Sequence, residues 1–114
     1  MTGISLVNQF HADILLNWAT LAAVWMNEIA ASYDDFMAEP LNECRRQKGQ
    51  QVIAARLRAL AADSKCLSKR EIDLYNGPHK ETVFEKKVQA YYSLRCTPQI
   101  LGPIYDTFSA ATDV

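Results

Sequence analysis

The chain has 114 residues, of which 49% are hydrophobic and 22% are charged, and its formal net charge is −1. This composition excludes intrinsic disorder and predicts a single domain that covers residues 1–114. A net charge so close to zero provides no overall attraction to nucleic acid or to a membrane surface. Only four glycines and four prolines are present, too few for the many tight turns of an all-β fold.

Apolar residues recur on one side of a helix over residues 4–37, in a stripe about 80° wide. The stripe consists of Val7, His11, Ile14, Trp18, Leu21, Trp25, Ile29 and Phe36. This spacing predicts a long amphipathic first helix that packs its stripe on the core and ends near Pro40. Leu16 and Val24 fall on the opposite, polar side, so we expect them to be exposed, either as ordinary exposed apolar residues or as a possible dimer contact.

The predicted first helix is longer than a compact domain of this size is wide. A helix of 34 residues is about 51 Å long, whereas a compact domain of this size is roughly 34 Å across. The helix therefore either breaks once or projects beyond the domain to meet a partner. Its uncharged section, residues 14–27, is too short to span a bilayer, so we expect no membrane segment.

The rest of the chain predicts three or four more helices. A second helix runs from Gln50 or earlier through the sequence QQVIAARLRALAAD. The sequence SKRE at residues 68–71 matches a capping box that begins a short helix, and a further helix follows from about His79 to Arg95. Thr97-Pro98 begins a last helix, unless Gly102-Pro103 delays its start. The predicted fold is an all-α bundle of four or five helices.

The sequence lacks the spacings of known metal and phosphate sites. Its two histidines, His11 and His79, belong to no paired metal-binding motif, and no glycine-rich phosphate loop is present. We therefore predict no metal and no cofactor. His11 is either a packed histidine at the core edge or a functional group, namely a general base or a pH-sensitive interface group. The packed role is favoured because no nucleophile adjoins it.

Three cysteines are an odd number, and the N-terminal sequence MTGISLVNQF lacks the basic region of a secretory signal. Both features predict reduced thiols in a cytoplasmic protein. Cys44 precedes Arg45 and Arg46, which would favour its thiolate if the side chain were exposed. A small buried hydrophobe is the more common role of a lone cysteine.

Charge is segregated along the chain. Residues 1–44 hold six acids and no bases, and residues 45–95 hold twelve bases and five acids. The basic segment either pairs internally with the acidic first helix or faces outward as a docking surface.

Since no catalytic constellation is visible, the sequence predicts an interaction protein and not an enzyme. It would act as an adaptor, regulator or inhibitor on a protein partner of unknown identity, with a homodimer along the first helix as a companion hypothesis. The alternative is a DNA- or RNA-binding regulator that uses residues 45–95. The predicted partner-binding residues are Arg45, Arg46, Lys48, Arg56 and Arg58.

Overall fold

The computed structural model describes residues 1–69 and 89–113. In these ranges the elements are α1 (Thr2–Ile29), a 3-10 turn (Asp34–Met37), α2 (Glu39–Glu43), α3 (Lys48–Leu60), α4 (Tyr92–Arg95) and α5 (Thr97–Thr112). The described residues form no strand, and their only β-type pairing is an isolated bridge between Tyr33 and Ser68. The prediction of an all-α fold is confirmed.

The first helix ends at Ile29, eleven residues before Pro40, through a Schellman motif. The N–H of Ser32 donates to the carbonyl of Asn27, and the N–H of Ala31 donates to the carbonyl of Glu28, both at 3.0 Å. Ala31 takes a left-handed conformation, with φ of 46°, where glycine is the usual residue. α1 is about 42 Å long, and the molecule measures 65 × 27 × 22 Å. Residues 1–15 are exposed or half-buried, so this end of α1 extends beyond the core.

The face of α1 that packs on the core is the one expected to be exposed. Leu16 and Val24 are 5% and 4% exposed, whereas Trp18 and Trp25 of the apolar stripe are 59% and 51% exposed. The expected orientation of α1 is therefore wrong. The polar side can be buried because Thr20 donates a hydrogen bond from its hydroxyl to the carbonyl of Leu16, one turn earlier in the same helix, at 2.8 Å.

The core lies between α1, α3 and α5. Ile53 and Leu57 of α3 are fully buried, and Phe36 and Met37 reach the core from the 3-10 turn. Tyr105 and Phe108 of α5 pack against it, together with Ala23 and Leu101. Leu60, the last residue of α3, is half exposed.

Two glycines set the separation of α3 and α5. A Cβ atom added to Gly49 would lie 2.1 Å from the carbonyl oxygen of Gly102, and one added to Gly102 would lie 2.6 Å from the backbone nitrogen of Gln50. Since neither site has room for a side chain, the two backbones are in direct contact here. α5 begins at Thr97 and continues through Pro103, so Gly102-Pro103 does not delay its start.

Several predictions fall on residues 70–88 and 114, outside the described ranges. They include half of the capping box, the short helix after it and the greater part of the helix from His79. Residues 89–95 of the helix predicted from His79 are described, and of these only Tyr92–Arg95 are helical.

The single domain over residues 1–114 stays a prediction. Within residues 1–69 and 89–113, no helix is both long and apolar enough to cross a membrane.

Candidate active site

A cavity of about 460 Å³ lies between the 3-10 turn and α2 on one side and α4 with the start of α5 on the other. Its described lining residues are Tyr33, Asp35, Phe36, Leu41, Arg45, Gln89, Ala90, Tyr92, Arg95, Cys96 and Gln99. They combine three aromatic rings with two guanidinium groups, one carboxylate and two amides. An apolar surface with a few polar groups is the usual lining of a small-molecule site.

Arg95 is held against the ring of Tyr92 within α4. Its guanidinium carbon lies 4.2 Å from the ring centroid, the geometry of a cation–π contact between residues three apart on a helix. The contact limits the rotamers of a side chain that is otherwise long and flexible. The charge of Arg95 is therefore presented to the cavity in a restricted orientation.

Two polar atoms of residues that line this cavity are buried without a partner. Nε of Arg95 and Oε1 of Gln99 make no hydrogen bond within the described residues. Buried donors and acceptors are nearly always paired in proteins, with protein groups, water or a ligand. Both atoms belong to residues that line the cavity.

The carbonyl of Leu94 ties α4 to two other helices. It accepts a hydrogen bond from the hydroxyl of Thr97 at 2.8 Å and another from the side-chain amide of Asn27 at 3.4 Å. Asn27 is 1% exposed and lies at the end of α1. The short α4 is thus fixed against both α1 and α5, which sets the position of the neighbouring Arg95.

The opposite wall is organised by Asn42, which is also 1% exposed. Its side-chain amide donates to the carbonyls of Phe36 at 3.0 Å and Ala38 at 2.9 Å. Its side-chain oxygen accepts from Nε2 of Gln50 at 2.9 Å. One buried side chain therefore joins the 3-10 turn, α2 and α3, and it fixes the segment that carries Leu41 and Arg45.

A second cleft, of about 370 Å³, lies between α1, α3 and α5. Its arginine, Arg56, donates from Nη1 to Oδ1 of Asn17 at 3.0 Å and lies 5.1 Å from the ring centroid of Tyr105. Because these contacts already occupy the guanidinium, the first cavity is the better candidate for a ligand site.

The structure separates the five predicted partner-binding residues. Arg45 lines the cavity, whereas the exposed Arg46 and Lys48 lie outside its lining. Arg56 is held in the second cleft, and Arg58 donates to the carbonyl of Met37 at 2.7 Å. The five bases therefore do not form one surface.

The other residues singled out from the sequence lie away from the cavity. Leu16 and Val24 are buried in the core, so a dimer contact through their side chains would require the core to open. His11 is exposed, with its ring beside that of Phe10 at 6.1 Å between centroids. The thiol of Cys44 is exposed and donates to the carbonyl of Leu41. Among the described residues, no group of three histidine, cysteine, aspartate or glutamate side chains is placed to hold a metal ion.

Sequence reasoning missed the wall formed by Tyr92, Arg95 and Gln99. In the sequence, Tyr92 and Arg95 belong to the end of one predicted helix, and Gln99 belongs to the start of the next. The available signal was the spacing of an arginine three residues after a tyrosine, which allows stacking on a helix. Such pairs are common on protein surfaces, so the spacing alone could not indicate a cavity.

Known proteins resemble the chain along its whole length. The model of the aromatic amino acid lyase family matches residues 1–114. The tyrosine ammonia-lyase of Cupriavidus metallidurans is 35% identical over 121 residues, which cover 100% of this chain and 22% of that protein. The tyrosine ammonia-lyase of Cereibacter sphaeroides is 35% identical, with 96% of this chain and 21% of the relative covered. The histidine ammonia-lyase of Stigmatella aurantiaca is 32% identical, with coverages of 97% and 19%.

These matches overturn the function predicted from the sequence. The expectation of an adaptor, regulator or inhibitor that docks on a protein partner is wrong, as are the nucleic-acid-binding alternative and the prediction that the chain is not an enzyme. The chain spans about a fifth of the length of the curated relatives that it matches. A segment of this size brings only part of a site, so the absence of a full catalytic constellation from the sequence did not exclude an enzyme. Since the family model matches every one of its residues, the chain belongs to the aromatic amino acid lyase family.

Proposed function

We propose that this chain contributes part of the active site of an ammonia-lyase that acts on an aromatic amino acid. The observation that carries the proposal is the family match over residues 1–114. The relatives named above are ammonia-lyases of tyrosine and of histidine. The cavity between α2 and α4 supports the proposal because its polar groups suit an amino acid.

Arg95 would bind the carboxylate of the amino acid. A guanidinium presents its N–H groups in a planar fork that matches the two oxygens of a carboxylate. Arg95 lines the cavity, and its Nε has no partner among the described residues. Tyr92, stacked on the same guanidinium, would keep it in the orientation that the carboxylate needs.

The aromatic ring of the substrate would lie against the apolar part of the lining. Tyr33 and Phe36 are buried next to the cavity and present ring surface to it. Gln99 offers a buried amide oxygen that can accept a hydrogen bond from the ammonium or from a ring substituent. These side chains bind and orient the amino acid.

The reaction itself has a simple balance. The bond between Cα and the amino nitrogen breaks, a proton leaves Cβ, and a Cα=Cβ double bond forms, so that the products are an arylacrylate and ammonium. The described residues account for the binding of the carboxylate, which both substrate and product carry.

The test is an ammonia-release assay on the chain completed with the rest of the C. metallidurans relative, so that this segment replaces the matching part of that protein. We expect release of ammonia from tyrosine or from another aromatic amino acid. Arg95→Gln should lower kcat/KM by about 30-fold or more, because it leaves a carboxylate without its charged partner. Arg46→Gln, an exposed change outside the cavity, is the matched control and should have little effect.

A completed protein that is folded, as judged by circular dichroism, but releases no ammonia from tyrosine, phenylalanine or histidine would contradict the proposal. Equal losses in the Arg95→Gln and Arg46→Gln variants would contradict the role of Arg95. The intact C. metallidurans enzyme provides the positive control for the assay.

We also propose that the protein works in the cytoplasm, as the sequence predicted. The support is that Cys44, Cys66 and Cys96 are all free thiols, which is usual in a reducing compartment. Fractionation of the native host with an antibody to the chain tests this proposal, and recovery in an exported fraction would contradict it.

A further inference from the structure

A second guanidinium lines the cavity that contains Arg95. Arg45 lies in the turn between α2 and α3, on the wall opposite α4. Its side chain is exposed although it lines the cavity, so it lies at the mouth. Arg95, with its buried Nε, lies deeper. The cavity thus has one cation inside and one at its entrance.

These two cations outnumber the acids of the cavity. Asp35 is the one carboxylate among the described lining residues, so their formal charge is +1 when all three groups are ionised. Without Arg45 the same lining would be neutral. The charge of the described lining therefore depends on a residue at the mouth of the cavity.

Substrate and product of the proposed reaction differ in net charge. At neutral pH an aromatic amino acid with an uncharged ring is a zwitterion, with a carboxylate and an ammonium and no net charge. Loss of ammonia leaves an arylacrylate of charge −1. A described lining of charge +1 attracts this anion at any orientation, whereas it attracts one end of the zwitterion and repels the other.

We propose that Arg45 is a specificity-determining residue that makes the cavity hold the arylacrylate product more tightly than the amino acid. This inference rests on the proposed function. Arg45 acts through its charge at the mouth, and Arg95 through direct binding of the carboxylate that both ligands share. The enzyme is consequently subject to inhibition by its own product, and Arg45 determines how strong that inhibition is.

The adjacent arginine provides a close control. Arg46 is exposed like Arg45, but it has φ of 56° and its N–H donates to the carbonyl of Glu43 at 2.9 Å. Arg46 therefore takes a left-handed conformation within the turn that carries Arg45. Arg45 lines the cavity and Arg46 does not. Removal of either charge changes the net charge of the protein equally.

The binding test uses the full 114-residue chain and measures Kd by calorimetry at low ionic strength. The two probes are tyrosine and 3-(4-hydroxyphenyl)acrylate, the anion that tyrosine gives on loss of ammonia. We expect the wild-type chain to prefer the acrylate. Arg45→Gln should weaken acrylate binding by about 3- to 10-fold and change tyrosine binding by less than about twofold, as for a partly screened charge. Arg45→Lys should retain the preference, and Arg46→Gln should leave both affinities within about twofold of wild type.

Three results would overturn the inference: equal weakening of both ligands by Arg45→Gln, an Arg46→Gln variant that behaves like Arg45→Gln, or no acrylate binding by the wild-type chain. Equal weakening would mean that Arg45 binds the shared carboxylate and does not discriminate by net charge. Circular dichroism of each variant checks that the fold is unchanged.

Kinetics on the completed protein separate this inference from the proposed function. Arg45→Gln should raise the inhibition constant of the acrylate by about 3- to 10-fold and leave KM for tyrosine within about twofold. If the completed protein releases ammonia but product inhibition is unchanged in Arg45→Gln, the inference is wrong and the proposed function stands. If it releases no ammonia but the chain still discriminates through Arg45, the proposed function is wrong and the charge discrimination stands.

Discussion

The guanidinium of Arg95 lies over the ring of Tyr92, 4.2 Å from its centroid, at the wall of the candidate active site. The contact joins two residues of a single helical turn, and that turn is held by hydrogen bonds from Asn27 and Thr97 to one carbonyl. A charged side chain is thereby oriented before any ligand binds, which reduces the entropy that binding must overcome.

The ring of Tyr92, and not its hydroxyl, should be what orients Arg95. Tyr92→Phe keeps the ring, so we expect the affinity of the chain for 3-(4-hydroxyphenyl)acrylate to stay within about twofold of wild type. Tyr92→Leu removes the cation–π contact, which contributes about 0.5–2 kcal/mol, and should weaken binding by about 2- to 30-fold. Calorimetric Kd values for both variants check this, and equal losses would show that the stacking has no role.

The contact between Gly49 and Gly102 should tolerate no side chain. In Gly102→Ala the new Cβ would approach the backbone nitrogen of Gln50 to 2.6 Å, which neither helix can relieve by a side-chain movement. We expect a loss of about 3 kcal/mol or more in the free energy of unfolding, measured by urea denaturation.

Gly3→Ala is the matched control for this substitution. An added Cβ at Gly3, inside α1, would meet nothing within 4 Å. Alanine favours helix over glycine by up to about 1 kcal/mol, so the variant should be as stable as wild type or slightly more stable. Similar destabilisation by both substitutions would show that α3 and α5 are not in direct backbone contact.

Two adjacent leucines of α1 test which face of the helix packs on the core. Leu16 is 5% exposed and Leu15 is 67% exposed. Leu16→Ala should therefore cost about 2–5 kcal/mol of unfolding free energy, because it opens a cavity in the core. Leu15→Ala should cost less than about 1 kcal/mol. The orientation predicted from the apolar stripe, with Leu16 exposed, requires Leu16→Ala to have as little effect as an ordinary surface substitution.

The end of α1 should become more stable with glycine at position 31. Ala31 has φ of 46°, a left-handed conformation that costs a residue with a side chain roughly 1–2 kcal/mol. Ala31→Gly should accordingly raise the unfolding free energy by about 1 kcal/mol. Ala30→Gly, at the adjacent right-handed residue with φ of −79°, should lower it by a few tenths to about 1 kcal/mol. Thermal denaturation of the two variants checks the opposite signs.

The sequence by itself determined the helices. The composition and the spacing of apolar residues predicted an all-α fold, and α3 and α5 begin within two residues of their predicted starts. Local signals sufficed because helix formation depends on residues that are close in sequence. The end of α1 was missed because the left-handed residue at that end is Ala31, where the usual signal is glycine.

The tertiary structure decided which faces of the helices are buried and which side chains meet. Hydrophobic periodicity finds an apolar stripe but not its contact surface, so the stripe with Trp18 and Trp25 was assigned to a core that Leu16 and Val24 form instead. Arg45 and Arg95 are 50 positions apart in the printed sequence, and only the packing of α2 and α3 against α4 and α5 brings both to one cavity. The same packing separates Arg45 from Arg46, two neighbours that the sequence presents as equivalent.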